Sequence, residues 1–394
     1  MIDPWEAFSR DAPSSEVAGY FEGGGRRGSA STAWWFHDHA ETLVVDRASQ
    51  LPELRRRSDR HLSRGGAVVG YVGFDAVGLF EPALRRFPAG SPFPLGELAL
   101  ARRVRSARWV RPPRPIALGR TRRRPVSDTL PRARFERSVR RLVEEIRAGE
   151  AFQVVLSHRR SWPRPDDLLA RAAILRRAER YAFFYYLKFG DREIVGASPE
   201  SVAEVAGSRA YVDPIAGTIP SGPRRRRLPL RSDPKELAEH RMLVDLARND
   251  LGRIARVGSV RLVFRERPER YARLVHLVSR VGAGLPVSEG PWEVLASTFP
   301  AGTVSGAPKI RAVELLREEE ASWRGPYAGT VGLLLPGRRA TWALAIRSAF
   351  ASGRTMYTAA GAGIVHRSEP AREFKETLVK LSTLESALVG ERPA

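Results

Sequence analysis

The 394-residue chain reads as an α+β fold built on antiparallel sheet. Strand-like and helix-like stretches mix without a regular βαβ rhythm, which disfavours a parallel sheet. Two apolar runs flank Gly190-Asp191, a hairpin signal that only antiparallel strands use. Hydrophobic residues make up 43% of the chain, enough to bury a sizeable core and to exclude global disorder.

In chain order, Ala33–Phe36 and Glu41–Val45 read as strands, and Gly65–Phe74 as a buried strand with close backbone approaches at its glycines. From Ala101 to Ser127 the chain turns Arg- and Pro-rich, which marks a boundary between a reduced N-terminal subdomain (1–125) and a larger unit (126–394). Phe135, Val139, Leu142 and Ile146 fall on one helix face, with Gly149 as the stop. Phe152–Ser157 reads as a strand, and Tyr181–Leu187 with Ile194–Ala197 as the hairpin. Thr330–Leu335, Thr341–Ile346 and Met356–Ala359 are further strand-like runs, and long helices start near Asp233, Ala307 and Pro370. No internal repeat is visible.

The chain carries 66 Lys+Arg against 44 Asp+Glu, a net charge of +22, and no cysteine. The absence of cysteine excludes disulfide scaffolds, Cys–zinc sites and thiolate catalysis. No apolar stretch reaches the roughly 18 residues of a membrane span. The segment Met1–Trp5 lacks the layout of a signal peptide, so a soluble cytoplasmic protein is expected. The charge invites a nucleic-acid reading, with runs such as Arg224–Arg227, but no helix-turn-helix, zinc or aromatic-interleaved motif supports it. Only Lys188, Lys235, Lys309, Lys375 and Lys380 are lysines; the remaining basic residues are arginine. A surviving Lys marks a place where a point ammonium is not replaced by a planar guanidinium.

Several places can carry chemistry. Glu236, Glu239 and Leu243 lie within an arc of about 60° on the helix that starts after Asp233. Glu373, Glu376 and Lys380 share a face of the last helix. Each carboxylate pair reads plainly as a cap or a solvated surface pair; together they could converge on one divalent cation, and all-oxygen ligands suit Mg²⁺. Phe299–Lys309 is Gly-rich but lacks Walker spacing, so it reads as a turn or as backbone N–H groups offered to an anion. Ala360–Gly363 is a second such run. Arg347 ends an apolar run, placed to fork onto a carboxylate. His276 lies in an apolar run and reads as a hydrogen-bonded core residue or an acid–base group, and Glu200 stands at a strand exit as a possible acid.

These segments, in order, resemble the chorismate-utilising enzymes, most closely anthranilate synthase component I. The matching stretches are Phe152–Ser157, Gly196–Glu200, Pro214–Thr218, Asp233–Leu251, Leu274–Val281, Phe299–Lys309, Arg324–Gly329, Ala345–Arg347, Gly361–Ile364 and Glu376–Lys380. The resemblance implies two antiparallel β-sheets packed face to face and surrounded by helices. It implies Mg²⁺ on Glu239 and Glu376, with Glu236 and Glu373 behind them. Arg347, Tyr327, Lys380 and the amides of Gly361 and Gly363 would bind the carboxylates of chorismate, and Thr218, Thr303 and His276 would line the ring. Glu200 would protonate the departing 4-hydroxyl while ammonia adds at C2 and pyruvate is lost.

Two positions discriminate within the family. Gln153 stands where water-using relatives carry a Lys base, so ammonia is the expected nucleophile. Ala216 stands where many aminodeoxychorismate synthases, the alternative assignment, carry a nucleophilic Lys. Glutamine-hydrolysing subunits of this class use a Cys nucleophile, so this cysteine-free chain is expected to take free ammonium or ammonia from a separate amidotransferase subunit, component II. The family's tryptophan feedback segments are not matched: Arg180–Phe184 stands at the second, and the first has no counterpart.

Overall fold

The computed structural model describes residues 3–23, 31–84, 90–109, 116, 118–119, 121, 123–179, 182–220, 234–271, 274–320 and 322–390. Side chains are not described at 109, 216–220, 234–236, 270–271 and 274. Two antiparallel sheets of ten strands each form its centre. The first runs, in hydrogen-bonded order, Gly306–Ala307, Gln153–Pro163, Thr355–Ile364, Ser348–Ser352, Arg192–Ser198, Phe183–Phe189, Val17–Gly23, Ser31–Phe36 and Arg105–Trp109. The second runs Ile215–Pro220, Leu274–Gly284, Arg209–Val212, Ser201–Ala206, Arg339–Leu344, Thr330–Leu335, Ala67–Val72, Gly96–Ala101 and His39–Val45. Ser127–Asp128 and Arg261–Tyr271 pair off these paths. Strands from before residue 110 therefore complete both sheets.

Alternation along the strands explains the face-to-face packing. In Phe183–Phe189, Phe183, Tyr185, Leu187 and Phe189 point into the core shared with Tyr71, Leu98 and Val331 of the second sheet. Phe184 and Tyr186 point the other way, onto Trp5, Phe8, Leu175 and Leu384 of the flanking helices. The stripe read from the sequence holds: helix Arg132–Arg147 buries Phe135, Val139, Leu142 and Ile146, each gaining roughly 1.5–3 kcal/mol on leaving water. Close approach at Gly70 is also real, since a Cβ there would strike the backbone of Glu97 and Leu98. No helix among the described residues is long and apolar enough to cross a membrane.

One expectation changes. The helix predicted near Ala307 starts at Lys309, because Gly306–Ala307 is a short strand paired with Gln153–Val154. Gly306 has φ +133°, open to glycine, and Pro308 has no N–H with which to extend the strand.

A buried ion pair fastens this frame. Arg324 donates from Nε and Nη2 to Glu320 at 2.8 and 2.6 Å, from Nη1 to the Val304 carbonyl at 2.7 Å, and from Nη2 to that of Val155 at 2.7 Å. Its guanidinium lies 4.3 Å over the Phe74 ring. Glu320 also accepts from the amide and hydroxyl of Ser157 at 2.8 and 2.9 Å. Asp75 accepts from the Arg324 and Gly325 amides at 3.1 and 2.8 Å. Replacing Glu320 by Gln removes the counter-charge of a sealed guanidinium, and urea unfolding of Glu320→Gln is expected to show a loss of about 3 kcal/mol.

Candidate active site

The strands that change sheets define the site. Arg192–Ser198 belongs to the first sheet and continues, after Pro199 and Glu200, as Ser201–Ala206 of the second. Antiparallel to it, Arg339–Leu344 of the second sheet continues, after Ala345–Arg347, as Ser348–Ser352 of the first. The two crossings bond to each other, the Leu344 amide to the Glu200 carbonyl at 2.9 Å and the Ala197 amide to the Arg347 carbonyl at 3.1 Å. Arg347 takes φ +52°, a left-handed conformation rare for a side-chain-bearing residue and a known companion of functional sites. Glu200 and Arg347 thus lie together at the seam between the sheets.

Around this seam the remaining residues gather in two groups. On one side, the Glu200 carboxyl is buried and accepts from the Thr303 hydroxyl at 2.8 Å. Burial pushes it up from its ordinary 4.5 to about 8; the Thr303 bond opposes this and the nearby Asp213 adds to it. The cavity beside it is also lined by Leu243, Leu246, Ala247 and Asp250 of helix Pro234–Gly252. On the other side, Arg347 donates from Nη1 to the Lys380 carbonyl. Lys380 Nζ bonds the Gly361 carbonyl at 2.9 Å and pairs with Glu376 at 2.8 Å. Burial pushes the Tyr327 hydroxyl well up, with Arg324 and Arg347 nearby and the Gly361 amide bonded to it. The Ala328 amide and Gly329 carbonyl of its loop bond Ala345 at 2.9 Å each.

Gln153 connects this group to the helix Pro234–Gly252. Its Nε2 donates to Glu239 at 3.2 Å and lies against Gly363, where a Cβ would displace it. Its Oε1 is buried with no hydrogen-bond partner. On the strand Thr355–Ile364, Gly361 thus meets Lys380 with its partner Glu376, and Gly363 meets Gln153 with its partner Glu239. Among the described residues no three His, Asp or Glu side chains converge as a complete metal cage. Glu239 lies beside the orphaned Gln153 acceptor, and carboxylate and amide oxygens are donors that suit a hard cation, which completes its shell with water and ligand oxygens.

Other predicted residues lie elsewhere or are described in part. His276 sits half-buried on Leu274–Gly284, opposite Thr218 on one neighbouring strand and Glu269 on the other. Glu373 is half-buried in the first turn of the last helix. Glu236, Thr218 and Ala216 are placed by backbone only, and the run Arg224–Arg227 lies outside the described residues. Sequence reading missed Asp75 and the Asp250–Lys309 pair, buried at 3.1 Å. The Lys309 signal was available as one of five lysines; Asp75 carries none.

The chain belongs to the chorismate binding enzyme family, which matches residues 27–386. Anthranilate synthase component 1 of Streptomyces coelicolor is 42% identical over 268 residues, 66% of this chain and 52% of that protein. Its counterpart in Saccharolobus solfataricus is 34% identical over 412 residues, 98% of this chain and 97% of that one. The chain spans about half the length of several curated bacterial relatives it matches. The crystal structure of anthranilate synthase component I from Streptococcus pneumoniae superimposes with a TM-score of 0.75 at 30% identity, covering 93% of this chain and 90% of that one. The menaquinone-specific isochorismate synthase of Escherichia coli shares the fold, with a TM-score of 0.75 at 20% identity over 98% of this chain and 92% of that one.

Glu200 sets a pH dependence. The unfolded chain ionises it near 4.5, whereas the folded chain holds the proton to about 8, so its contribution favours folding at low pH and is lost as pH rises through that window. Denaturant midpoints for Glu200→Gln are expected to fall less between pH 5 and 8 than those of the wild type. Identical slopes would remove the raised carboxyl.

Proposed function

We propose that this chain is the large subunit of an anthranilate synthase, converting chorismate and ammonia to anthranilate, pyruvate and water in the cytoplasm. The observation that carries the reading is Glu200, a buried carboxyl whose pKa burial raises to about 8, at the seam that also carries Arg347. Hydroxide leaves poorly unless it takes a proton, and a carboxyl with a raised pKa supplies one.

Arg347, Lys380, Tyr327 and the backbone at Gly361 and Gly363 hold the two carboxylates of the substrate. Thr303 orients the Glu200 carboxyl, and Thr218 and His276 border the ring. Ammonia adds at C2, Glu200 gives its proton to the 4-hydroxyl, and the oxygen departs as water. Loss of pyruvate then restores the aromatic ring. Gln153 has no basic group to activate water, which favours ammonia as nucleophile. Glu239 and Glu376 are the residues that would hold a Mg²⁺, with Glu236 and Glu373 behind them through water. When bound, the ion would neutralise the ring carboxylate and draw electrons toward it. A separate glutaminase subunit would deliver the ammonia.

With chorismate, Mg²⁺ and ammonium, the purified chain is expected to produce anthranilate fluorescence, and Glu239→Gln and Glu376→Gln to lose turnover by at least about a hundredfold. Accumulation of 4-amino-4-deoxychorismate would transfer the assignment to the folate-branch relative. Product formed without ammonium would point to a water-using enzyme.

A further inference from the structure

Behind the last helix lies a polar row that the proposed reaction does not use. His158, 1% exposed, stands on the strand Gln153–Pro163, opposite Ala360 and one residue from the Ser157–Gly361 pair. Its Nδ1 donates to the Asp128 carboxylate, 2.9 and 3.0 Å from the two oxygens. Its Nε2 is 2.9 Å from the hydroxyl of Thr377, which is fully buried in the last helix. The rings of Phe135 and Phe374 pack against His158, with centroids 5.6 and 5.5 Å away. The order carboxylate–imidazole–hydroxyl is that of a hydrolytic triad, but a hydroxyl sealed inside a helix–sheet interface meets no substrate.

We propose that Asp128, His158 and Thr377 are positioning residues that fix the rotation of the last helix, so that Glu376 and Lys380 face the Gly361 strand; this rests on the functional reading above. Thr377 directly follows Glu376 and lies three residues before Lys380. Apolar contacts alone leave a helix free to turn by small angles, whereas hydrogen bonds are directional. With side-chain tips about 6 Å from the helix axis, a 20° turn moves a carboxylate by about 2 Å. That exceeds the roughly 0.5 Å tolerance of a preorganised site. The row is anchored at both ends, since Asp128 sits on the strand Ser127–Asp128, paired with Gln153–Pro163.

The test uses the full chain and Mn²⁺ as the metal probe. Thr377→Val removes the hydroxyl at nearly constant volume, Thr377→Ser keeps it, and Phe135→Leu loosens the packing against His158 while keeping every hydrogen-bonding group of the row. Mn²⁺ binding followed by electron paramagnetic resonance is expected to weaken roughly tenfold in Thr377→Val and to stay within about twofold of wild type in Thr377→Ser. The KM for chorismate in Thr377→Val is expected to rise more than kcat falls. Phe135→Leu is expected to lower Tm and leave Mn²⁺ binding intact. Wild-type Mn²⁺ affinity in Thr377→Val, or an equal weakening in Phe135→Leu, overturns the proposal. Should Thr377→Val fail to fold, Asp128→Asn is titrated in its place, with the same two outcomes. A wild-type chain that binds no Mn²⁺ defeats the functional reading itself, which separates that failure from this one.

Discussion

The structure depends on the sealed guanidinium of Arg324. Burial opposes its charge, and the Glu320 carboxylate outweighs burial, so the group stays ionised with its donors engaged. An ion pair in such a place contributes little net stability compared with a well-packed apolar pair, because desolvation offsets the attraction. What it contributes is geometry. Val304 belongs to the loop that carries Thr303, Val155 to the strand that carries Gln153, and Phe74 and Asp75 to the N-terminal part of the chain. Arg324 itself opens the loop that carries Tyr327. Four segments distant in sequence are held at fixed distances by one planar fork, which a lysine could not reproduce.

On that floor, the seam between the sheets does the rest. A strand that leaves one sheet for the other must break its ladder, and the freed backbone and side chains point into the gap. Glu200 and Arg347 occupy the two breaks, cross-bonded so that neither moves alone. The result separates two environments within a short span. Glu200 is dry and kept protonated, while Lys380 and Glu376 lie partly open to solvent, where charges are well hydrated. A buried acid on one side and the cationic Arg347 and Lys380 on the other is the arrangement that the proposed reaction would use.

Much of this was legible in the sequence, for physical reasons. The Phe135–Ile146 stripe and the Gly190-Asp191 hairpin obey local periodicity, and both stand as read, the hairpin strands extending to Phe189 and Arg192. Lys309 and Lys380 are indeed ammonium groups with short, specific partners. What was not legible depends on contacts far apart in the chain. Asp75 looks like any loop aspartate until residue 324 arrives, and burial then raises it to about 6. The helix Leu168–Ala178 was overlooked because its apolar residues, alanines and arginines show no clear face. The Gly306–Ala307 strand was hidden by a Gly-Ala-Pro run that reads locally as a helix start.

The claim at the centre is that the seam holds a neutral carboxylic acid at the pH where the protein works. Infrared difference spectroscopy between the wild type and Glu200→Gln, recorded from pH 6 to 9, addresses it directly. The account expects a protonated-carboxyl carbonyl band in the wild type, absent from the variant, that converts to carboxylate with a midpoint near 8. A carboxylate signal from Glu200 already complete at pH 6 would contradict it.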